Sequence, residues 1–237
     1  MEGIRQKALK IKDRIDDLVY AGHGPKLVAG AVALVLFIGL IAYALLSSRG
    51  GTQPIDERIH SVEAKRAVSG HYVKLKDDLK LVYLGVRSPW EGEPFYEESK
   101  ARNEQLVAGK ELRLRYDGEE TDKEGRLNAY VFLDDDMFVN EVLISEGLAY
   151  ARLYPQVQRF RDRLLAAQNK ARRNHAGIWS TPLPKPAEKY LADPKYAEFH
   201  RPDCEIALQI KPERLATYST RNEAFSNGMQ PCNKCNP

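Results

Sequence analysis

The longest apolar run in the chain lies near its start. Leu27 to Leu46 reads LVAGAVALVLFIGLIAYALL and holds no charged residue. As a helix rising about 1.5 Å per residue it would reach about 30 Å, the thickness of a bilayer's hydrocarbon core. The pattern predicts one transmembrane helix over 27–46. Ahead of it, Ile4, Ala8, Ile11, Ile15 and Leu18 recur at helical spacing among basic residues. Residues 1–26 are therefore expected to form a basic amphipathic segment suited to an anionic membrane face. Lys7, Lys10, Lys12, Arg14 and Lys26 precede the span, and Arg49, Arg58, Lys65 and Arg66 follow it. This small excess orients the N-terminus to the cytosol and everything after the span outside it. Ala42-Tyr43-Ala44 also has the small-x-small shape of a cleavage site, so a cleaved leader is the alternative.

Beyond the span the texture changes. Residues 47–64 read as a linker, Ser/Gly-rich up to Pro54, with 55–66 charged and helix-compatible. Then come short runs with strand periodicity. His71 to Leu75 alternates, Leu79 to Val86 is mostly apolar, and Glu111 to Tyr116 (ELRLRY) alternates strictly. Leu127 to Leu133 follows a charged turn, and Met137 to Val139 reads as a returning edge. Leu148 to Leu153 is also strand-like. Helical patterns occupy Pro94 to Ala108, Val142 to Glu146 and Gln156 to Asn174, each stopping near a glycine. Five short strands among helices predict a mixed α/β domain over 65–180, an OB-fold small β-barrel with flanking helices. Thr181 to Pro186 (TPLPKP) opens a proline-rich linker, 181–187, before a last segment, 188–237.

Charge adds little at the level of the whole chain, whose formal net charge is +3. From 65 to 180 there are 20 basic and 19 acidic residues, which argues against a general polyanion-binding surface. The exception is local. Arg159, Arg161, Arg163, Lys170, Arg172 and Arg173 crowd the predicted helix 156–174 against Asp162 alone. Such a strip can follow a phosphate backbone, with Tyr150 and Tyr154 as stacking faces. A solvated helix face accounts for it equally well.

The three cysteines all fall in the last 34 residues. His200-x3-Cys204 and Cys232-x2-Cys235 supply four ligands, the pattern of a closed tetrahedral zinc site. A tail with so little core of its own would draw its folding energy from the metal. The alternative is an oxidised Cys232–Cys235 pair with Cys204 free.

Four segments carry a resemblance. Asp122-Lys-Glu-Gly-Arg126, with Leu127-Asn-Ala-Tyr-Val131 and Val139-Asn-Glu-Val-Leu-Ile-Ser-Glu-Gly-Leu-Ala149, resembles the thermonuclease (staphylococcal nuclease-like) domain. Asn174-His-Ala-Gly-Ile-Trp179 looks like that family's closing segment. The resemblance implies an OB-type barrel and Ca²⁺-dependent phosphodiester cleavage. It also implies where the machinery should be. The family's Asp-Gly-Asp-Thr falls on Ser69-Gly-His-Tyr72, so His71 replaces a metal-binding carboxylate. The next strand's arginine falls on Val82. Ile-Asp-x-Pro-Glu falls on Val86-Arg-Ser-Pro-Trp90, so Arg87 replaces a metal ligand and Trp90 the presumed base. Only Arg126 survives, and Glu91, one residue beyond Trp90, could substitute as the base if the loop slips. Hard cations prefer oxygen ligands, so calcium is not expected here.

Around the cysteines, Phe199-His-Arg-Pro-Asp-Cys204, Asn222-Glu-Ala-Phe225, Gly228 and Pro231-Cys-Asn-Lys-Cys-Asn-Pro237 resemble the zinc module of the Ada DNA methylphosphotriester repair protein. His200 stands where that module has its methyl-accepting cysteine, so the resemblance implies a structural zinc rather than methyl transfer.

These readings give a membrane-anchored, thermonuclease-like protein. Its nuclease domain is expected to be catalytically degenerate and to bind nucleic acid or protein. The expected nucleic-acid contacts are Arg126, Arg159, Arg163, Arg172 and Arg173. The metal ligands are His200, Cys204, Cys232 and Cys235. Two alternatives stand: an active metal-dependent nuclease with a site rebuilt from Glu91, Arg126 and His71, and an envelope structural protein whose partners are other envelope proteins.

Overall fold

The computed structural model describes residues 60–134 and 136–237. The described residues all belong to one compact unit. The expected span at 27–46, its basic N-terminal flank and most of the 47–64 linker lie outside the described residues. Among the described residues, no helix is long and apolar enough to cross a membrane.

The chain opens with β1 (His60–Ser69), β2 (Tyr72–Leu75), β3 (Lys80–Tyr83) and β4 (Val86–Arg87). Helix α1 (Tyr96–Val107) follows, then β5 (Glu111–Arg115) and β6 (Leu127–Phe132). Five of these strands close into a barrel in the order β1-β2-β3-β6-β5. β1 pairs antiparallel with both β2 and β5, and β3 pairs in parallel with β6. Two register shifts along β1, at 64–66 and 67–69, let its ten residues serve both neighbours. The alternation in β5 is real, with Leu112 and Leu114 fully buried and the residues between them facing outward. They meet Val73, Leu75, Leu81 and Val131 in the barrel interior. The expected five-stranded OB-like barrel is thus present, although β1 was not among the strands read from the sequence.

Several expected element bounds need correction. Residues 60–66 are strand, not helix. Their charged outer face fits either element, and pairing with both neighbours decides it. Leu79 to Val86 is not one strand either. Gly85, at φ 77°, breaks the run between β3 and β4. A side chain there would also meet Leu164, and only glycine takes this backbone easily.

Helix α2 (Val139–Ser145) begins where an edge strand was expected, leaving a single bridge between Phe132 and Phe138. β7 (Tyr150–Ala151) pairs with β4, and α3 (Arg161–Arg173) starts five residues later than its pattern suggested. Buried amides tie these pieces together. Asn140 accepts from the Val131 amide and donates to the Leu84 carbonyl, both at 2.9 Å. Asn103 accepts from the Tyr83 hydroxyl and donates to the Ser69 carbonyl.

The last segment holds β8 (Tyr190–Asp193), β9 (Glu198–His200), β10 (Ala216–Tyr218), α4 (Arg221–Ser226) and β11 (Gln230–Pro231). Its sheet runs β10-β8-β9-β11. The proline-rich stretch before it is pinned down. Arg221 donates to the carbonyls of Pro184 and Lys185, and Arg201 donates to that of Lys185. Tyr190, Phe199, Phe225 and Met229 form a core that includes Tyr150, Tyr154 and Trp179 from the barrel side. Gln168 of α3 accepts from the Ala151 amide and donates to the Phe225 carbonyl. The Leu153 amide donates to the Gly228 carbonyl at 2.9 Å.

Candidate functional site

His71 follows the tight turn Ser69-Gly70 between β1 and β2. The turn is built for close approach. A Cβ on Gly70 would sit 1.7 Å from Ser99 Oγ and 2.7 Å from Ser88 Cβ. That contact brings His71 against the segment after β4. His71 Nδ1 lies 2.7 Å from Ser88 Oγ, and its Nε2 lies 3.4 Å from an Arg87 guanidinium nitrogen. The face of that guanidinium is 3.3 Å from the Trp90 ring centroid.

The electrostatics of the cluster are one-sided. Burial first, then Arg87, Arg152 and Arg126, pull the His71 pKa down to about 3. The imidazole is therefore neutral at physiological pH. Burial and Arg152 push Arg87 down to about 10, which leaves it a cation. Among the described residues no carboxylate comes within ion-pair distance of His71 or Arg87. Glu91 is exposed and does not join the cluster. Glu93, which the sequence did not single out, turns inward instead, and its carboxylate accepts from the Trp90 amide at 2.7 Å.

Arg126 is held in its own turn. Its Nε donates to Asp122 at 2.6 Å and one terminal nitrogen donates to Glu124 at 2.9 Å. Val82 sits on β3 opposite Tyr72 and Asn128.

The basic strip on α3 is divided among structural contacts. Arg163 pairs with Glu141 and lies over the Phe138 ring. Arg172 lies over Trp179 and Phe225 and donates to Asn222. Arg159 covers Phe160, and Arg173 is exposed.

The cysteine cluster is brought together by the β-sheet of the last segment. His200 ends β9, Cys204 lies in the next turn, and Cys232 follows β11, the parallel neighbour of β9. The ligand atoms of His200, Cys204, Cys232 and Cys235 all lie within 4.8 Å of one another. This Cys₃His set could hold a metal such as zinc. His200 Nδ1 is 3.7 Å from Cys204 Sγ, while its Nε2 is 3.7 Å from Glu198 Oε1. A metal-bound histidine is commonly oriented by such a carboxylate. Glu198 is in turn held by Gln230, whose Nε2 donates to it at 2.7 Å. Burial pushes the Cys232 thiol up to about 12 and lowers His200.

The comparisons with known proteins bear on the barrel. The model of the family described as "Staphylococcal nuclease homologue" matches residues 80–181. The thermonuclease of Staphylococcus intermedius is 30% identical over 165 residues, covering 65% of this chain and 98% of that protein. The chain belongs to the thermonuclease family. The thermonuclease of Staphylococcus hyicus is 28% identical over 169 residues. The endonuclease YncB of Bacillus subtilis is 32% identical over 137 residues, covering 52% of this chain and 64% of its own length.

In the thermonuclease domain, the segments singled out by resemblance do converge. His71, Arg87, Ser88 and Trp90 are neighbours, and Arg126 is close enough to act on the His71 pKa. The sequence missed Ser88 and Glu93. Ser88 is a small polar residue before proline, and Glu93 lies beyond the motif, so neither carries a pattern of its own.

Proposed function

We propose that this thermonuclease domain binds nucleic acid without cleaving it. One observation carries the reading: a guanidinium, Arg87, faces the imidazole of His71 where the family resemblance calls for carboxylates on a cation. Ca²⁺ needs several hard oxygen ligands. A neutral imidazole and a fixed positive charge supply none and repel the ion. Val82 leaves the transition state one donor short, a loss that costs about 10²–10³ in rate in comparable sites. Arg126 retains one terminal nitrogen with no protein partner, enough for a phosphate contact but not for activating water.

In the same reading His200, Cys204, Cys232 and Cys235 hold a structural zinc, and the Ada-like histidine position supports structure rather than methyl transfer. A retained span at 27–46 would hold the domain at a membrane, outside the cytosol.

The test is cleavage and binding of single-stranded DNA by the purified protein, with Ca²⁺ and then EDTA. Expected is no Ca²⁺-dependent cleavage. Binding should weaken with salt, and Arg126→Ala should lower the salt slope by about 1. The names of the relatives favour a second reading, an active nuclease with a rebuilt site. Ca²⁺-dependent cleavage that disappears in Glu91→Gln would establish it and overturn the first.

A further inference from the structure

His200 is almost wholly buried, and its two ring nitrogens face different neighbours. Nδ1 lies 3.7 Å from Cys204 Sγ, and Nε2 lies 3.7 Å from Glu198 Oε1. The other three candidate ligands are sulfurs. One of them is already tied to the backbone, since the Arg201 amide donates to Cys235 Sγ at 3.3 Å. Of the four ligands, only the histidine has a choice of donor atom.

The sheet fixes that choice. β9 and β11 run in parallel with Glu198 beside Gln230. The Gln230 amide donates to the Ala197 carbonyl and the Cys232 amide to the Phe199 carbonyl, both at 2.9 Å. One ladder therefore sets Gln230 against Glu198 and Cys232 near His200. Glu198 divides its two oxygens. Oε1 faces His200, while Oε2 accepts from Gln230 Nε2 at 2.7 Å. Gln230 is 3% exposed, and among the described residues no other group bonds this carboxylate.

An ionised carboxylate can only accept, so the ring nitrogen facing it carries the hydrogen. A metal-ligating imidazole is neutral, and its other nitrogen then holds the lone pair. Here that nitrogen is Nδ1, on the side of Cys204. The contact also strengthens with loading. A cation on Nδ1 draws electron density from the ring and makes Nε2–H a better donor to Glu198. A carboxylate free to rotate would lose this orientation, and the buried Gln230 prevents that rotation.

We propose that Glu198 is a positioning residue for the metal. It holds His200 as the Nε2–H tautomer, so that the ring coordinates through Nδ1, and Gln230 holds Glu198 in place. The inference rests on the zinc reading above and is independent of nucleic-acid binding.

The test uses the full chain, loaded with zinc or with cobalt. In zinc-loaded protein labelled with nitrogen-15 at histidine, one histidine should change on chelation. Its spectrum should show a protonated Nε2 and a metal-bound Nδ1. Zinc affinity, read against a chromophoric chelator, should fall by about 10–100-fold in Glu198→Gln. Asp203→Asn removes an exposed carboxylate next to Cys204 and should leave affinity within about twofold. Gln230→Met should weaken binding by a smaller factor than Glu198→Gln. The double variant should bind no more weakly than Glu198→Gln alone, because both side chains act through one contact. A protonated Nδ1, unchanged affinity in Glu198→Gln, or additive losses in the double variant would overturn the proposal. If Glu198→Gln does not fold, the nitrogen-15 spectrum of the unaltered protein still decides. Uptake of neither zinc nor cobalt, with no thiolate-to-cobalt charge-transfer band, would sink the zinc reading and the proposal with it. A normal band with the wrong tautomer would sink the proposal alone.

Discussion

At the scale of single residues, His71 shows how burial and neighbouring charge set the state of a side chain. The Gly70 turn still delivers a side chain to the segment after β4. What it delivers is an imidazole held neutral by burial and three arginines. Its folded pKa of about 3 lies below the unfolded value of 6.5, so between those limits the unfolded chain binds a proton that the folded one does not. Stability from this group is complete above about pH 6.5 and declines as pH falls toward 3. His71→Gln keeps a hydrogen-bonding side chain and removes the titration. Its unfolding free energy, followed by urea denaturation from pH 7 to pH 4, should fall less steeply than that of the parent. His200 is also lowered by burial, so both proteins must carry the same metal loading. Much of this cluster was legible in the sequence, because His71, Arg87 and Trp90 could be set in register with a known motif. The cation–π contact and the inward turn of Glu93 were not. They depend on loop geometry that no periodicity encodes.

At the scale of elements, α3 is the clearest contrast between pattern and role. Its arginines read as a phosphate-tracking strip, yet Arg161 and Arg172 reach across to Asn227 and Asn222 of the last segment. The helix is a strut, and Gln168 is its central fastening. That amide is fully buried and satisfies the Ala151 amide and the Phe225 carbonyl at once. Gln168→Leu would leave both groups buried without partners, at about 1–3 kcal/mol each. The expected result is a loss of at least about 2 kcal/mol, read from the shift of the urea midpoint. A substitution at exposed Arg173 should change little. The barrel strands were easier to read than the helix ends, since alternation is dictated by a closed core. The start of α3 was misplaced because apolar positions before it, such as Val157, are buried outside any helix.

At the scale of the whole molecule, the proline-rich stretch is no free tether. Carbonyls at 184 and 185 are held by Arg221 and Arg201, and the core around Phe225 is shared with Tyr150 and Trp179. Loss of the metal should therefore be felt by the barrel. Protein purified under reducing conditions should carry one zinc per chain by elemental analysis. Chelation, or Cys232→Ser, should lower the midpoint of a single thermal transition monitored through the tryptophans. Two separate transitions would show that the segments unfold independently. The grouping of His200, Cys204, Cys232 and Cys235 was readable from spacing, because metal geometry tolerates few arrangements. The docking was not, since it rests on scattered contacts from Leu153, Gln168 and Trp179 rather than on a repeat.

The order of strands around the barrel also carries a consequence in time. β1 cannot complete its pairing until β5 has been made, and β3 waits for β6, more than forty residues further on. Contacts so distant along the chain bring loop-closure entropy into the folding barrier, and topologies of this kind fold more slowly than local ones. The final fastening is later still, because Gly228 and Phe225, which accept from Leu153 and Gln168, follow every barrel strand in the chain. A nascent chain thus exposes the edges of β1 and β3 until β5 and β6 have been made.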